Sequence, residues 1–275
     1  MADAPDLAGW FARIGHTGPA SPTLHTLKAL IRLHTASIPF ENLSPLLGEP
    51  VLLDLVSLQA KLLHRRRGGW CFEHNRLLWV MLEALGFEVQ GLAARVLWQQ
   101  PEGARPPRTH MLLRLVVDGE PWIADVGFGG LTFTAPLALQ PDVVQHTPQG
   151  DYRLQAASGG YVMQALLGEQ WASLYSFDLT PQQPADYEAT NWWLATHDSS
   201  RFLHMLAAAR ATADLRHTLR DGSYTCRDAR GVIVAQQQVT TAVQAVSLLQ
   251  AVFDIDVPQG DAVLARLDTV LQQSR

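Results

Sequence analysis

The segment His110-Met111-Leu112-Leu113-Arg114-Leu115-Val116-Val117-Asp118-Gly119-Glu120-Pro121-Trp122-Ile123-Ala124-Asp125 sets two apolar runs on either side of Asp118-Gly119. Asp-Gly tolerates the positive φ that a two-residue hairpin loop requires, so the segment predicts a pair of antiparallel strands. With those two residues as the loop, Val117 pairs with Glu120, and counting outward sets Leu112 opposite Asp125. His110 lies two residues farther along the same strand. Its imidazole and the Asp125 carboxylate therefore project from one face as diagonal neighbours, about 7–8 Å apart at the backbone. A one-residue slip would send one of them to the opposite face. A surface His and a turn Asp are the alternative, since Gly127, Gly129 and Gly130 follow Asp125. Both residues lie in apolar strand patterns, where an unpaired polar group is costly, and this favours the pair.

The hairpin sits within a longer series of short alternating segments, Val89 to Gln99, Tyr152 to Gln155, Tyr161 to Leu166 and Gln170 to Phe177. Asp118-Gly119, Gly150-Asp151, Ser158-Gly159-Gly160 and Gly168 punctuate the series, which predicts an antiparallel barrel or sandwich. Upstream, the pattern is helical. Leu7, Trp10, Phe11 and Ile14 recur at helical spacing behind Asp3 and Asp6, and Ser21 to His34 has Ser21 as a candidate N-cap with Pro22 at the first helical position. Asp54 to His64 reads as a helix whose end carries Arg65, Arg66 and Arg67, cations suited to the negative pole, with Gly68 as cap. A phosphate site is the less favoured reading of that basic cluster. Downstream come a Pro-rich linker at Thr180 to Pro184, a helical segment through Trp192-Trp193-Leu194, a hairpin turn at Asp221-Gly222, and helices over Thr240 to Phe253 and Asp261 to Leu271. The fold class is α+β in three parts: residues 1–86 helical, 87–183 a β-barrel, and 184–275 an α/β unit beginning with an interdomain helix.

At 275 residues and 47% hydrophobic, the chain can bury a sizeable core, and a net charge of −5 offers no basic footprint for nucleic acid. Two cysteines make no disulfide framework and point to a reducing compartment. No apolar run approaches the roughly 20 residues of a membrane span, and the N-terminus has no signal-peptide pattern. The expectation is a cytoplasmic protein without membrane or nucleic-acid partners.

One cysteine lies in Arg67-Gly68-Gly69-Trp70-Cys71-Phe72-Glu73-His74-Asn75, at the first turn of a helix marked by Cys71, Asn75, Leu78, Leu82 and Leu85 and stopped by Gly86. Unpaired N–H groups and the helix dipole favour thiolate there. Burial as an inert core thiol is the competing reading, and position alone leaves both open. Among other histidines, His74 is the chief rival to His110 as a base, three residues after Cys71 on the same helix face. Cys71 and His74 could also form half of a metal site, but no second pair with zinc spacing exists, so no metal is expected. His16, His25, His34, His64, His146, His204 and His217 read as isolated solvated or capping residues, and His197 lies in a turn-like Thr-His-Asp-Ser-Ser stretch.

The ordered set Arg67-Gly68-Gly69-x-Cys71-x-Glu73-x-Asn75, Thr109-His110 before an apolar strand, and Asp125-Val126-Gly127-Phe128-Gly129 resembles the arylamine N-acetyltransferases. Pro39-Phe40-Glu41-Asn42-Leu43 and the Asn191 to Phe202 pattern extend the resemblance over most of the chain. It implies a helical domain, a β-barrel and an α/β lid, with a cysteine-protease-like core. It further implies that Cys71 accepts the acyl group, His110 is its base and Asp125 orients the base. Glu41 and Arg67 are implied to be a buried ion pair bracing the loop. Phe40, Val96 and Phe128 are implied to line an amine pocket, although Phe40 and Val96 are equally readable as ordinary core. Gly127, Gly129 and Gly130 could admit coenzyme A to the backbone, with a tight turn as the alternative.

The implied reaction is ping-pong acetylation of arylamines or hydrazines by acetyl-CoA through an acetyl-Cys71 thioester. Competing readings are a macrolactam-forming amide synthase with the same three residues, a Cys-His-Asp hydrolase of papain or transglutaminase type, and a binding module with an inert thiol.

Overall fold

A computed structural model describes residues 4–273; Asp3, read above with the first helix, lies outside them. Helix α1 (Leu7–Ile14) starts where Asp6 accepts the Gly9 N–H and stops at Gly15 in the left-handed region. Helix α2 (Leu24–Ser37) begins later than Ser21 and Pro22 suggest. Thr23 is the N-cap, its Oγ1 accepting the Thr26 N–H, and the helix runs past His34 to the residues before Pro39. A two-residue strand β1 (Phe40–Glu41) and a short α3 (Leu43–Leu46) follow.

Helix α4 (Leu55–Leu58), capped by Asp54, passes into a π-helical turn over Gln59–His64. The expected cap at Gly68 is not formed. Arg66 takes the positive φ instead and pairs with Asp254, and Arg67 pairs with Glu41. Gly68 is required for another reason: a Cβ there would lie 2.0 Å from the Pro39 carbonyl oxygen.

Helix α5 (Cys71–Ala84) is buried on nearly every side and ends before Gly86, which has φ 88°. The chain then forms β2 (Glu88–Val96), β3 (Arg108–Val117), β4 (Glu120–Ala124), β5 (Leu137–Ala138), β6 (Gln145–Thr147), β7 (Gly150–Ala157), β8 (Gly160–Leu167) and β9 (Gln170–Phe177). These make one antiparallel sheet in the order β5-β4-β3-β2-β9-β8-β7-β6. Its two edges approach each other, because the Gln145 amide both donates to and accepts from the Ala138 backbone. The result is barrel-like.

Helix α6 (Pro184–Thr196), strands β10 (Ala207–Ala211), β11 (Leu215–Arg220), β12 (Ser223–Asp228) and β13 (Ile233–Gln238), and helices α7 (Ala242–Ala251) and α8 (Asp261–Gln273) complete the chain. The second sheet is ordered β1-β10-β11-β12-β13, so a strand from the first third of the sequence forms one of its edges.

One apolar cluster gathers α1, α2, α5, α6 and one face of the hairpin, a second fills the barrel, and a third lies under the second sheet and α7–α8. α5 is thus packed between the helices and the back of β2–β3, which brings its first turn against the open end of the hairpin. Among the described residues, no helix is long and apolar enough to cross a membrane.

Candidate active site

The Asp118-Gly119 loop has φ 54° and 80°, the paired positive values of a tight hairpin. Val117 pairs with Glu120 and the register runs outward to Leu113 opposite Ala124, in agreement with the count from the sequence. His110 and Asp125 therefore share a face, and His110 Nε2 lies 2.7 Å from Asp125 Oδ2. Both side chains are buried. Asp125 Oδ1 accepts N–H bonds from Gly127 (2.9 Å) and from Asn75 Nδ2 (3.0 Å).

Cys71 is the first residue of α5, behind an extended Trp70, and is buried, at 8% exposure, with Sγ 3.8 Å from the Thr109 carbonyl oxygen. The helix start is held from inside. Glu73 reaches back to accept the Trp70 N–H at 3.1 Å and pairs with Lys61 at 2.7 Å. Gly69 is glycine because a Cβ would stand 2.6 Å from that Glu73 carboxylate. The Arg67–Glu41 pair, 2.8 Å and buried, ties the loop before Cys71 to β1.

Burial opposes a charge on His110, but the Asp125 carboxylate, its hydrogen bond and the adjoining Cys71 outweigh that and raise the imidazole to about 10. Burial likewise works against the Asp125 carboxylate, yet His110, Asn75 and the Gly127 N–H together hold it below the usual range. With Nε2 engaged by Asp125, Nδ1 is the ring nitrogen left to exchange a proton with sulfur. The ring is boxed by Phe128 (centroid 5.1 Å) and Tyr175 (4.9 Å).

Cys71 and His110 line a cleft of roughly 1590 Å³, larger than the usual small-ligand pocket of about 300–1,000 Å³. Phe40, Val96 and Phe128 line it, as do Gly127, Gly129 and Gly130, together with Thr218, Arg220, Thr225 and Arg227 on one face of β11 and β12. The three glycines serve different ends. A Cβ on Gly127 would lie 2.5 Å from Cys71 Cα, Gly129 has φ 80°, and at Gly130 the nearest obstacle is the Thr218 methyl at 3.1 Å.

One expectation changes. His34 is not solvated but fully enclosed, as is His74, because the two rings meet inside the apolar cluster that α1, α2 and α5 share. Neither is placed to serve Cys71: their rings bond to each other, and His74 Nε2 bonds the Pro39 carbonyl. The residue whose role was not read is Asn75, which bonds Met111 O, Asp125 and Val126 N. The signal available was an amide one helical turn after Cys71 within an apolar stripe. Among the described residues, no group of three or more His, Cys, Asp or Glu could hold a metal ion.

A family model described as N-acetyltransferase matches residues 23–262. Arylamine N-acetyltransferases of Mycobacterium tuberculosis and Escherichia coli are 39% and 41% identical to this chain. The alignments span 98% and 92% of this chain and 96% and 90% of those proteins. The structure of Mycobacterium marinum arylamine N-acetyltransferase in complex with CoA superposes with a TM-score of 0.92 at 39% identity, covering 96% of this chain and 99% of that one.

Proposed function

The chain belongs to the arylamine N-acetyltransferase family, and from that we propose that it transfers the acetyl group of acetyl-CoA to arylamines, arylhydrazines and related amines through a thioester on Cys71. The observation that carries the reading is the arrangement of Cys71, His110 and Asp125, with Cys71 and His110 lining a cleft large enough for two substrates.

In the first half-reaction the Cys71 sulfur attacks the thioester carbonyl of acetyl-CoA while His110 holds the thiol proton. The charge of Asp125 favours that imidazolium, the role a carboxylate plays in Ser-His-Asp chemistry. Backbone N–H groups in the first turn of α5 have no intrahelical acceptor and are the oxyanion donors in this reading. Collapse of the tetrahedral adduct expels the CoA thiolate, which takes the proton from His110. One thioester replaces another, so the step is close to balanced.

In the second half-reaction the amine attacks the acetyl-Cys71 carbonyl, His110 accepts the proton the nitrogen loses, and the Cys71 sulfur leaves. An aromatic amine is neutral near pH 7 and retains its lone pair, whereas an alkyl amine is protonated. Phe40, Val96 and Phe128 form an apolar wall that would favour the neutral ring and keep water from the thioester. Gly127, Gly129 and Gly130 are assigned to the acetyl-CoA side of the cleft. Two free cysteines accord with a reducing, cytoplasmic setting.

The deciding experiment is intact mass of the protein after incubation with acetyl-CoA, followed by addition of an arylamine. One acetyl on Cys71, lost on adding amine with formation of the amide, is expected. Wild-type protein that acquires no acetyl group under conditions that trap a slow intermediate would sink the proposal. A panel of longer acyl-CoA donors in the same assay separates acetyl transfer from broader acyl transfer or amide synthesis.

A further inference from the structure

Two buried histidines take no part in these steps. His34 on α2 and His74 on α5 meet with Nε2 of the first 3.0 Å from Nδ1 of the second. At one end of the pair, Trp10 Nε1 approaches His34 Nδ1 at 3.4 Å; at the other, His74 Nε2 lies 3.0 Å from the Pro39 carbonyl oxygen. An indole N–H can only donate and a carbonyl can only accept. That polarity fixes every proton between them. His34 Nδ1 accepts from Trp10, His34 Nε2–H donates to His74 Nδ1, and His74 Nε2–H donates to Pro39. Both rings are neutral, and a proton added to either would set N–H against N–H at one junction. Burial keeps His74 at about 4 despite the Pro39 carbonyl, with Lys61, Glu41 and Asp125 as the charged groups acting on it, and Arg13 acts on His34.

The chain of rings ends on a carbonyl that matters. Pro39 O also accepts the Gly69 N–H (3.3 Å), while Gly69 O accepts the Glu41 N–H (2.8 Å). Phe40 is thereby bridged to Gly69, two residues before Cys71, and its ring lies against Gly129 on the cleft wall. His74 is thus rooted in the same helix as the sulfur and grips the strand that carries the facing aromatic wall.

We propose that His74, with its tautomer set by His34, is a positioning residue that fixes the Phe40 wall relative to the Cys71 sulfur and so aligns the acceptor amine with the acetyl thioester. The inference rests on the acetyl-Cys71 reading. It assigns His74 to the second half-reaction, because Cys71, His110 and Asp125 are held by other contacts, through Asn75 and the hairpin.

The test measures the two half-reactions separately in wild type and in His74→Gln, His74→Asn and His74→Leu. Glutamine places an amide N–H near the position of Nε2 and retains the bond to Pro39; asparagine reaches only the position of Nδ1, and leucine makes neither bond. Asn and Leu should lower kcat/KM for an arylamine about tenfold, a loss of orientation in the attack step. Acetylation of Cys71 by acetyl-CoA should stay within about threefold, and Gln should restore the amine step. Asn and Leu variants that match wild type in the amine step, or a loss shared equally by both half-reactions, would overturn the assignment. Wild type that forms no acetyl-Cys71 would instead refute the functional reading beneath it. Should the variants not fold, 15N spectra of histidine-labelled wild type decide. Both rings should be Nε2–H tautomers that stay neutral from pH 7 to about 5.5, where an ordinary histidine of pKa about 6.5 is mostly charged. A Nδ1–H tautomer or a titration in that range would overturn the proposal.

Discussion

Asn75 Nδ2 lies 3.0 Å from Asp125 Oδ1, so the helix that begins with Cys71 is fastened one turn later to the carboxylate that holds His110. The same amide donates to Met111 O at 2.7 Å and accepts the Val126 N–H at 3.1 Å. One side chain therefore joins all three elements of the site. Asn75→Ala would leave a buried carbonyl, a buried N–H and a carboxylate each short of a partner. Each such loss costs about 1–3 kcal/mol. We expect the unfolding free energy to fall by several kcal/mol and the Cys71 acetylation rate to fall tenfold or more. Urea unfolding and intact mass measure the two effects. A variant with wild-type stability would show that the amide is dispensable.

The glycines after Asp125 separate packing from substrate approach. Gly127→Ala would place a methyl 2.5 Å from Cys71 Cα, against backbone that cannot yield as a flexible side chain would. The helix start must move, and a displacement of about 1 Å at a reacting atom can cost roughly 100-fold in rate. At Gly130, by contrast, the obstacle is a threonine methyl 3.1 Å away. Gly130→Ala should keep near-normal stability and raise the KM for acetyl-CoA if CoA passes close to that backbone. Steady-state kinetics with acetyl-CoA varied discriminates the two. Equal effects of both substitutions on rate and KM would contradict the division of roles.

The contact between His110 and Asp125 was legible in the sequence because an Asp-Gly loop sets its own length and the length sets the register. The helices α1 and α5 were legible from their apolar spacing, and α5 also from its stop at Gly86. Elements with weak local signals were not. Strand β10 has the sequence Ala-Ala-Ala-Arg-Ala, whose propensity is helical, and it is a strand because β1 and β11 flank it. Strand β13 is exposed along its whole length, so it shows no alternation to read. The His34–His74 bond spans 40 residues and follows no periodicity, since it arises from how α2 lies on α5. Nor does a lone glycine announce whether it is needed for φ, as at Gly129, or for contact, as at Gly68 and Gly127.

The elevated His110 gives a pH signature. Its rise to about 10 comes chiefly from Asp125, and without that carboxylate only Cys71 opposes the burial that pushes the ring the other way. In Asp125→Asn the imidazole should lose its proton at a far lower pH than in wild type, and the sulfur would then no longer face a cation. Alkylation of Cys71 by iodoacetamide should then be tenfold or more slower than wild type at pH 6, and the gap should narrow as pH rises toward 9, where an ordinary thiol ionises. Parallel profiles for the two proteins would mean that Asp125 does not control the charge on His110.

The neutral histidine pair makes stability sensitive to acid in a calculable direction. The folded-state value for His74, about 4, lies below the roughly 6.5 of an exposed imidazole, so the unfolded chain binds a proton that the folded chain excludes. His34 is shifted in the same direction by burial, by His74 and by Arg13. Their contribution is complete above about pH 6.5 and is lost as pH falls toward 4. For His74 alone the difference is on the order of 3 kcal/mol across that window. Other groups also titrate in acid, among them Glu41 and Asp125, but they are common to the wild type and to a His74 variant. Urea unfolding at pH 7 and at pH 4.5 therefore isolates the effect as a difference of differences. His74→Gln carries no titrating ring and should lose less stability on acidification than wild type, whatever its starting value at pH 7. The same loss in both proteins would mean that His74 takes up its proton without unfolding, and that the ring is less enclosed than its contacts require.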